Sequence, residues 1–127
     1  IPTIDNSSTH VYYVYGMLID EAVTGKTRDW IHEALSHEGV PALMKGYANI
    51  HLLPIFQKKI AYGKDGFPWK GLGSINNQTS YEKGICPIAE DYHDNKFIGI
   101  QICMFEFSQV EIDDTIRAFK KVWGSLQ

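Results

Sequence analysis

The chemistry open to this chain rests on its histidines, its cysteines and a few closely spaced carboxylates. "TGKT" (Thr24 to Thr27) has the Gly-Lys-Thr ending of a phosphate-binding loop. That loop needs a second glycine five positions earlier so that backbone N–H groups converge on a phosphate, and Asp20 stands there instead. The residues read as a polar turn leading into a helix cap. "HEALSH" (His32 to His37) is one residue longer than the zinc-protease HExxH pattern. On a helix its histidines lie about 140° apart, too far round to share a metal. "EDYH" (Glu90 to His93) has the carboxylate–histidine spacing of di-iron bundles, but such sites need two copies and two further carboxylates, so a solvated helix face is expected. No metal site follows from any of these stretches.

Nucleophilic chemistry finds equally little purchase. No G-x-S-x-G elbow is present, and Cys86 and Cys103 are the only cysteines, neither in a CxxC. Cys86 falls at a plausible helix N-terminus, where a thiol pKa can drop, but the simpler expectation is a small buried residue. Two scattered cysteines suggest reduced, partly buried thiols and a cytoplasmic setting. His51 stands apart. It lies in an apolar stretch, "GYANIHLLPIF", beside Tyr47 and Asn49 and ahead of Pro54. Composition alone leaves open whether it is a packed histidine or one that meets a ligand.

The elements that must position these residues are those of one small domain, residues 1–127. The net charge of −3 and pI near 5.9 argue against nucleic acid or an anionic membrane as the main partner. No apolar run approaches the roughly 20 residues of a membrane span. The start, "IPTIDNSSTH", has neither the basic nor the apolar region of a signal peptide, and it lacks an initiator Met, as a processed or excised chain would. "THVYYVYGMLI" (Thr9 to Ile19) is apolar on both alternations and predicts a strand covered on both faces. Thr27 predicts the cap of a helix whose apolar face is Trp30, Ile31, Ala34 and Leu35 and which ends at Gly39. "VPALMKGY" reads as a short second strand. Residues 61–84 are dense in Gly, Asn and Ser and predict a long irregular loop, mobile from Lys64 to Tyr81.

Pro87 predicts a helix start, with Ile88 and Tyr92 on one face. "FIGIQICMFEF" predicts a third strand. Ser108 and Glu111 predict a capping box for a last helix with Ile112, Ile116, Phe119 and Trp123 on its apolar side. The sum is an α/β (α+β) sandwich with helices on one face of a mostly antiparallel sheet.

Four stretches taken in order, "HVYYVYGMLID", "EGVPALMKGYANIHLLPIFQ", "CPIAEDYHDNKFIGIQI" and "FSQVEIDDTIRAFKKV", resemble the C-terminal portion of the DegT/StrS-type sugar aminotransferases, over almost the whole chain. These are fold-type I enzymes that use pyridoxal phosphate (PLP). The family pattern runs through an HVY strand, a helix ending in E-G-I/V, a Y-x-x-L-H-L-Q-P loop, a P-V-A-E helix, a strand and a final helix. Leu53 stands where the family often has Gln, which removes a polar contact. Residues 64–81 are longer than the usual connection.

The resemblance implies a small C-terminal domain of an enzyme that moves an amino group, with glutamate as expected donor, to a nucleotide-linked keto sugar. It implies Tyr47 and His51 as substrate-facing residues, with Ile50, Leu52, Leu53 and Phe56 anchoring their loop. It also implies an N-terminal PLP domain in the same chain as partner, and a homodimer. The family's PLP-binding lysine and cofactor-holding residues belong to that larger domain, so no catalytic or cofactor-binding residue is expected here. The alternative is a stand-alone small-molecule binding or regulatory α/β domain without catalysis.

Overall fold

The computed structural model describes residues 3–70 and 79–126. The chain divides into two compact units, one of Ile1–Gly46 with Asp94–Gln127, the other Tyr47–His93.

The first unit is a three-stranded antiparallel sheet with helices. Its strands are β1 (Tyr15–Leu18), β2 (Leu43–Met44) and β3 (Phe97–Ile100), in the order β1-β3-β2. Its helices are α1 (Glu21–Thr24), α2 (Arg28–His37) and α5 (Gln109–Gly124). The caps are those the sequence predicts. Thr27 Oγ1 accepts from the Trp30 amide at 3.2 Å, and Ser108 and Glu111 close a full capping box. "TGKT" is a turn between α1 and α2, where Gly25 takes the left-handed conformation (φ +66) and Thr24 Oγ1 donates to the Lys26 carbonyl.

Register decides what the sheet buries. Tyr15 opposes Ile100 and Met17 opposes Ile98, so these four share one face. On that face Ile98 and Ile100 join Ile31 and Leu35 of α2 and Ala118 and Val122 of α5 in one core. Ile31, Leu35 and Ile98 are fully buried, each worth about 1.5–3 kcal/mol relative to exposure. Both long helices therefore cover the same side. On the opposite side the Phe97 ring lies over Gly16 and Gly99, and a Cβ on Gly99 would stand 2.6 Å from Val14 Cγ1. Glycine is required there by space.

Three expectations are corrected here. The first strand covers only four of the residues from Thr9 to Ile19, and Val11 and Tyr13 are exposed. The last strand stops at Ile100 and passes into a 3-10 turn, Ile102–Met104. On α5 the buried residues are Ala118 and Val122, while Ile112, Ile116 and Trp123 stay exposed. Small Ala118 allows closer approach of backbones than the larger residues beside it, so the helix seats on that side.

The second unit is built of turns. A 3-10 turn (Ile50–Leu52) leads into α3 (Pro54–Lys58), with Pro54 in the first turn as its fixed φ favours. α4 (Pro87–Asp91) follows and runs into a π-helical turn, Tyr92–Lys96. The described part of the expected loop is folded. Trp69 is only 4% exposed, edge-on to Phe56 and Tyr81, and its indole N–H donates to Tyr81 Oη at 3.1 Å. The Ala61 amide donates to the Phe67 carbonyl at 2.9 Å, closing the turn before Trp69. Residues 71–78 of the expected loop lie outside the described residues. Ile50 and Leu53 are exposed and do not anchor their stretch as expected; Leu52 and Phe56 are half-buried.

Candidate functional site

The second unit holds a buried polar contact between its two ends. His51 leaves the 3-10 turn with its Nε2 at 2.9 Å from Glu90 Oε1, and the two side chains are 12% and 7% exposed. The turn is fixed from behind: Gln57 Nε2 donates to the His51 carbonyl at 2.7 Å and to the Tyr81 carbonyl at 2.6 Å. Glu90 is held just as firmly. The Gly84 amide donates to both carboxylate oxygens at 2.8 Å, and the Cys86 amide donates to Oε1 at 3.2 Å. Gly84 has φ +101, a conformation glycine adopts without strain, and this aims its N–H back at the carboxylate.

Burial pushes the Glu90 pKa up, but the Gly84 and Cys86 amides and His51 outweigh it, and the net displacement is below the usual 4.5. Glu90 is therefore a carboxylate that accepts only. The shared hydrogen must lie on His51 Nε2. Among the described residues His51 Nδ1 makes no hydrogen bond, which leaves one ring nitrogen for a ligand. A carboxylate-oriented imidazole with its second nitrogen open can accept a hydrogen bond from a ligand hydroxyl at Nδ1, or take up a proton there.

The two sequence-predicted site residues are placed differently. Tyr47 is 63% exposed, at the start of the unit. His51 is turned inward and met by Glu90. Glu90 itself is the residue that sequence reasoning missed, and the expected solvated face around it is not what forms. A signal was present in the glutamate of "PIAE", three residues after Pro87, with Gly84 upstream. Such a side chain can fold back on the amides before its own helix.

The remaining candidates are not gathered into a site. His37 is exposed beside Glu33, and His32 is half-buried with its pKa lowered by burial and by Lys45 and Arg28. Cys86 and Cys103 are free thiols and both exposed, against the expectation of burial. No group of three or more potential metal ligands occurs among the described residues, nor does any helix there have the length and apolarity to cross a membrane.

In the first unit the buried charge is Arg28, whose guanidinium donates to the carbonyls of Lys45, Asp94 and Phe97. Its Nε lies 2.8 Å from Asp29 Oδ1, in ionic contact but off the hydrogen-bond direction. This group ties α2 to the ends of β2 and β3, a structural role.

No protein-family model, curated protein or solved structure matches this chain significantly.

Proposed function

We propose that the chain is the small C-terminal domain of a PLP-dependent sugar aminotransferase of the DegT/StrS type, acting on a nucleotide-linked keto sugar. One observation carries the reading. Two separated stretches that take part in the resemblance, "GYANIHLLPIF" and "CPIAEDYH", meet in the His51–Glu90 pair, 39 residues apart in the chain. A buried, amide-braced carboxylate behind a histidine is a way to hold an imidazole in a fixed direction for a ligand. In this reading His51 is a substrate-positioning residue and Glu90 sets its direction. Tyr47 offers a phenol at the exposed end of the same stretch.

The residues of this chain do not fit PLP itself. A transaminase lysine must sit in a desolvated pocket so that it can form a Schiff base, with a carboxylate for the pyridinium nitrogen. No lysine among the described residues is buried, and Lys45 and Lys121 are paired with Asp29 and Glu38. In this reading the cofactor belongs to a preceding domain of the same polypeptide, and the intact enzyme is a cytoplasmic homodimer.

The test is to read the coding sequence upstream of Ile1 and assay the full product for glutamate-dependent amination of nucleotide-linked keto sugars. The expected result is a large upstream domain with a PLP-binding lysine, and activity. A gene without such a domain overturns the reading in favour of a stand-alone binding domain.

A further inference from the structure

The second unit contains a cleft of about 520 Å³ walled by Lys58, Lys59, Lys64 and Lys70, with Asp65 as its only carboxylate. Such a concentration of one sign is unexpected in a chain whose formal net charge is −3. We propose that this cleft is a binding site for the diphosphate group of a small molecule.

The cleft is built by special backbone rather than by chance proximity of long side chains. Lys59 ends α3 in the left-handed conformation, with φ 52, which is costly for a residue with a Cβ. Gly66 is buried with φ +80, and its carbonyl accepts from the Lys70 amide at 2.9 Å. A Cβ on Gly66 would meet Lys70 Cδ at 3.2 Å and the Lys59 carbonyl oxygen at 3.3 Å. The fold thus draws Lys59 and Lys70 together round a position where only glycine fits easily.

None of the four lysines is in an ion pair among the described residues, although the Lys59 ammonium lies over the Tyr81 ring, 5.9 Å from its centroid. A cleft of this volume is roughly 10 Å across, beyond the ~8 Å screening length of physiological salt, so salt largely screens charges that face each other across it. What a compact polyvalent anion gains here is charge-assisted hydrogen bonds from several N–H donors at once. The volume falls in the usual range of small-ligand sites, and it exceeds what a single phosphate would fill. An extended nucleic acid fits less well, because the acidic remainder of the chain would repel the phosphates beyond the cleft. The assignment rests on the cleft alone and does not depend on the aminotransferase reading.

The experiment is calorimetric titration of this 127-residue chain with inorganic pyrophosphate, inorganic phosphate and a single-stranded oligonucleotide. It is repeated on Lys58→Gln/Lys64→Gln and on a control of equal charge change, Lys26→Gln/Lys120→Gln. All four positions are exposed, so both variants are expected to fold. Pyrophosphate is expected to bind at least about tenfold tighter than phosphate, with affinity that falls as salt is raised. It should weaken about tenfold or more in the cleft variant and stay unchanged in the control. Equal affinity for phosphate and pyrophosphate, equal weakening in the control, or displacement of pyrophosphate by the oligonucleotide at matched phosphate concentration would each overturn the proposal.

Discussion

The two units are held together by different physics. The first buries Ile31, Leu35, Ile98 and their neighbours in one apolar core between a sheet face and two capped helices. Among its described residues the second has one large buried apolar side chain, Trp69, and relies on single polar contacts: indole to phenol, glutamine to two carbonyls, and histidine to a carboxylate braced by two amides. Apolar burial is spread over many atoms and tolerates small changes. A polar contact has one partner and one direction, so losing it leaves a buried group unsatisfied. The first unit is therefore suited to hold shape, and the second to hold particular groups in particular directions.

Truncating the central residue of each unit tests that contrast most severely. Trp69→Ala is expected to cost about 3–5 kcal/mol and Leu35→Ala about 2–5 kcal/mol, measured by urea unfolding with amide exchange to locate the loss. Trp69→Phe separates the two kinds of support. It keeps most of the apolar volume but strands the Tyr81 hydroxyl, so a loss well below that of Trp69→Ala but still measurable is expected. If Trp69→Ala were no worse than a typical surface change, the second unit would not be organised round that ring.

His51→Ala comes next. If the aminotransferase reading holds, it should lower kcat/KM of the full-length protein by the equivalent of about 1–3 kcal/mol through one lost hydrogen bond to substrate. Buried contact with Glu90 adds a second consequence, since the carboxylate loses its only side-chain partner among the described residues. Some loss of thermal stability is therefore expected alongside the kinetic one. His51→Gln, which can still donate toward Glu90, should recover stability more than activity. Recovery of both in equal measure would mark His51 as purely structural.

Ser108→Ala removes one arm of the capping box on α5 and should cost about 1 kcal/mol, read as a lower unfolding midpoint with an unchanged denaturant slope. This smaller effect belongs to the part of the molecule most legible in the sequence. Thr27 and Ser108 announce their helices because a cap is a local contact, three residues long. The seating of α5 was less legible. The chain offers apolar residues on two adjoining sides of that helix, and periodicity cannot say that Ala118 and Val122 go inward while Ile112 and Ile116 do not. The second unit was hardest to read. Trp69 sits in a stretch with no period, and Glu90 meets His51 across 39 residues, a pairing that no local pattern encodes. The resemblance drew attention to His51 and included the glutamate of "PIAE", but gave no sign that the two side chains pair.

The smallest expected effect is the acid response of that carboxylate, and it separates the units on a different axis. Glu90 has its folded pKa lowered from 4.5, by the Gly84 and Cys86 amides and His51 acting against burial. A depressed carboxylate contributes stability that is fully present above its unfolded pKa and is lost as pH falls through the folded value. The second unit should therefore begin to loosen only below about pH 4.5. In the first unit Asp29 is lowered from 3.8, chiefly by its hydrogen bond from Lys45, so its contribution starts to fade at more acid pH. Carboxyl carbon shifts followed by NMR against pH give both midpoints directly, and the Gly84 and Cys86 amide protons should titrate with Glu90. In Glu90→Gln those two amides should lose their pH dependence while Asp29 titrates as before. A Glu90 midpoint at or above 4.5 would mean that burial outweighs the amides.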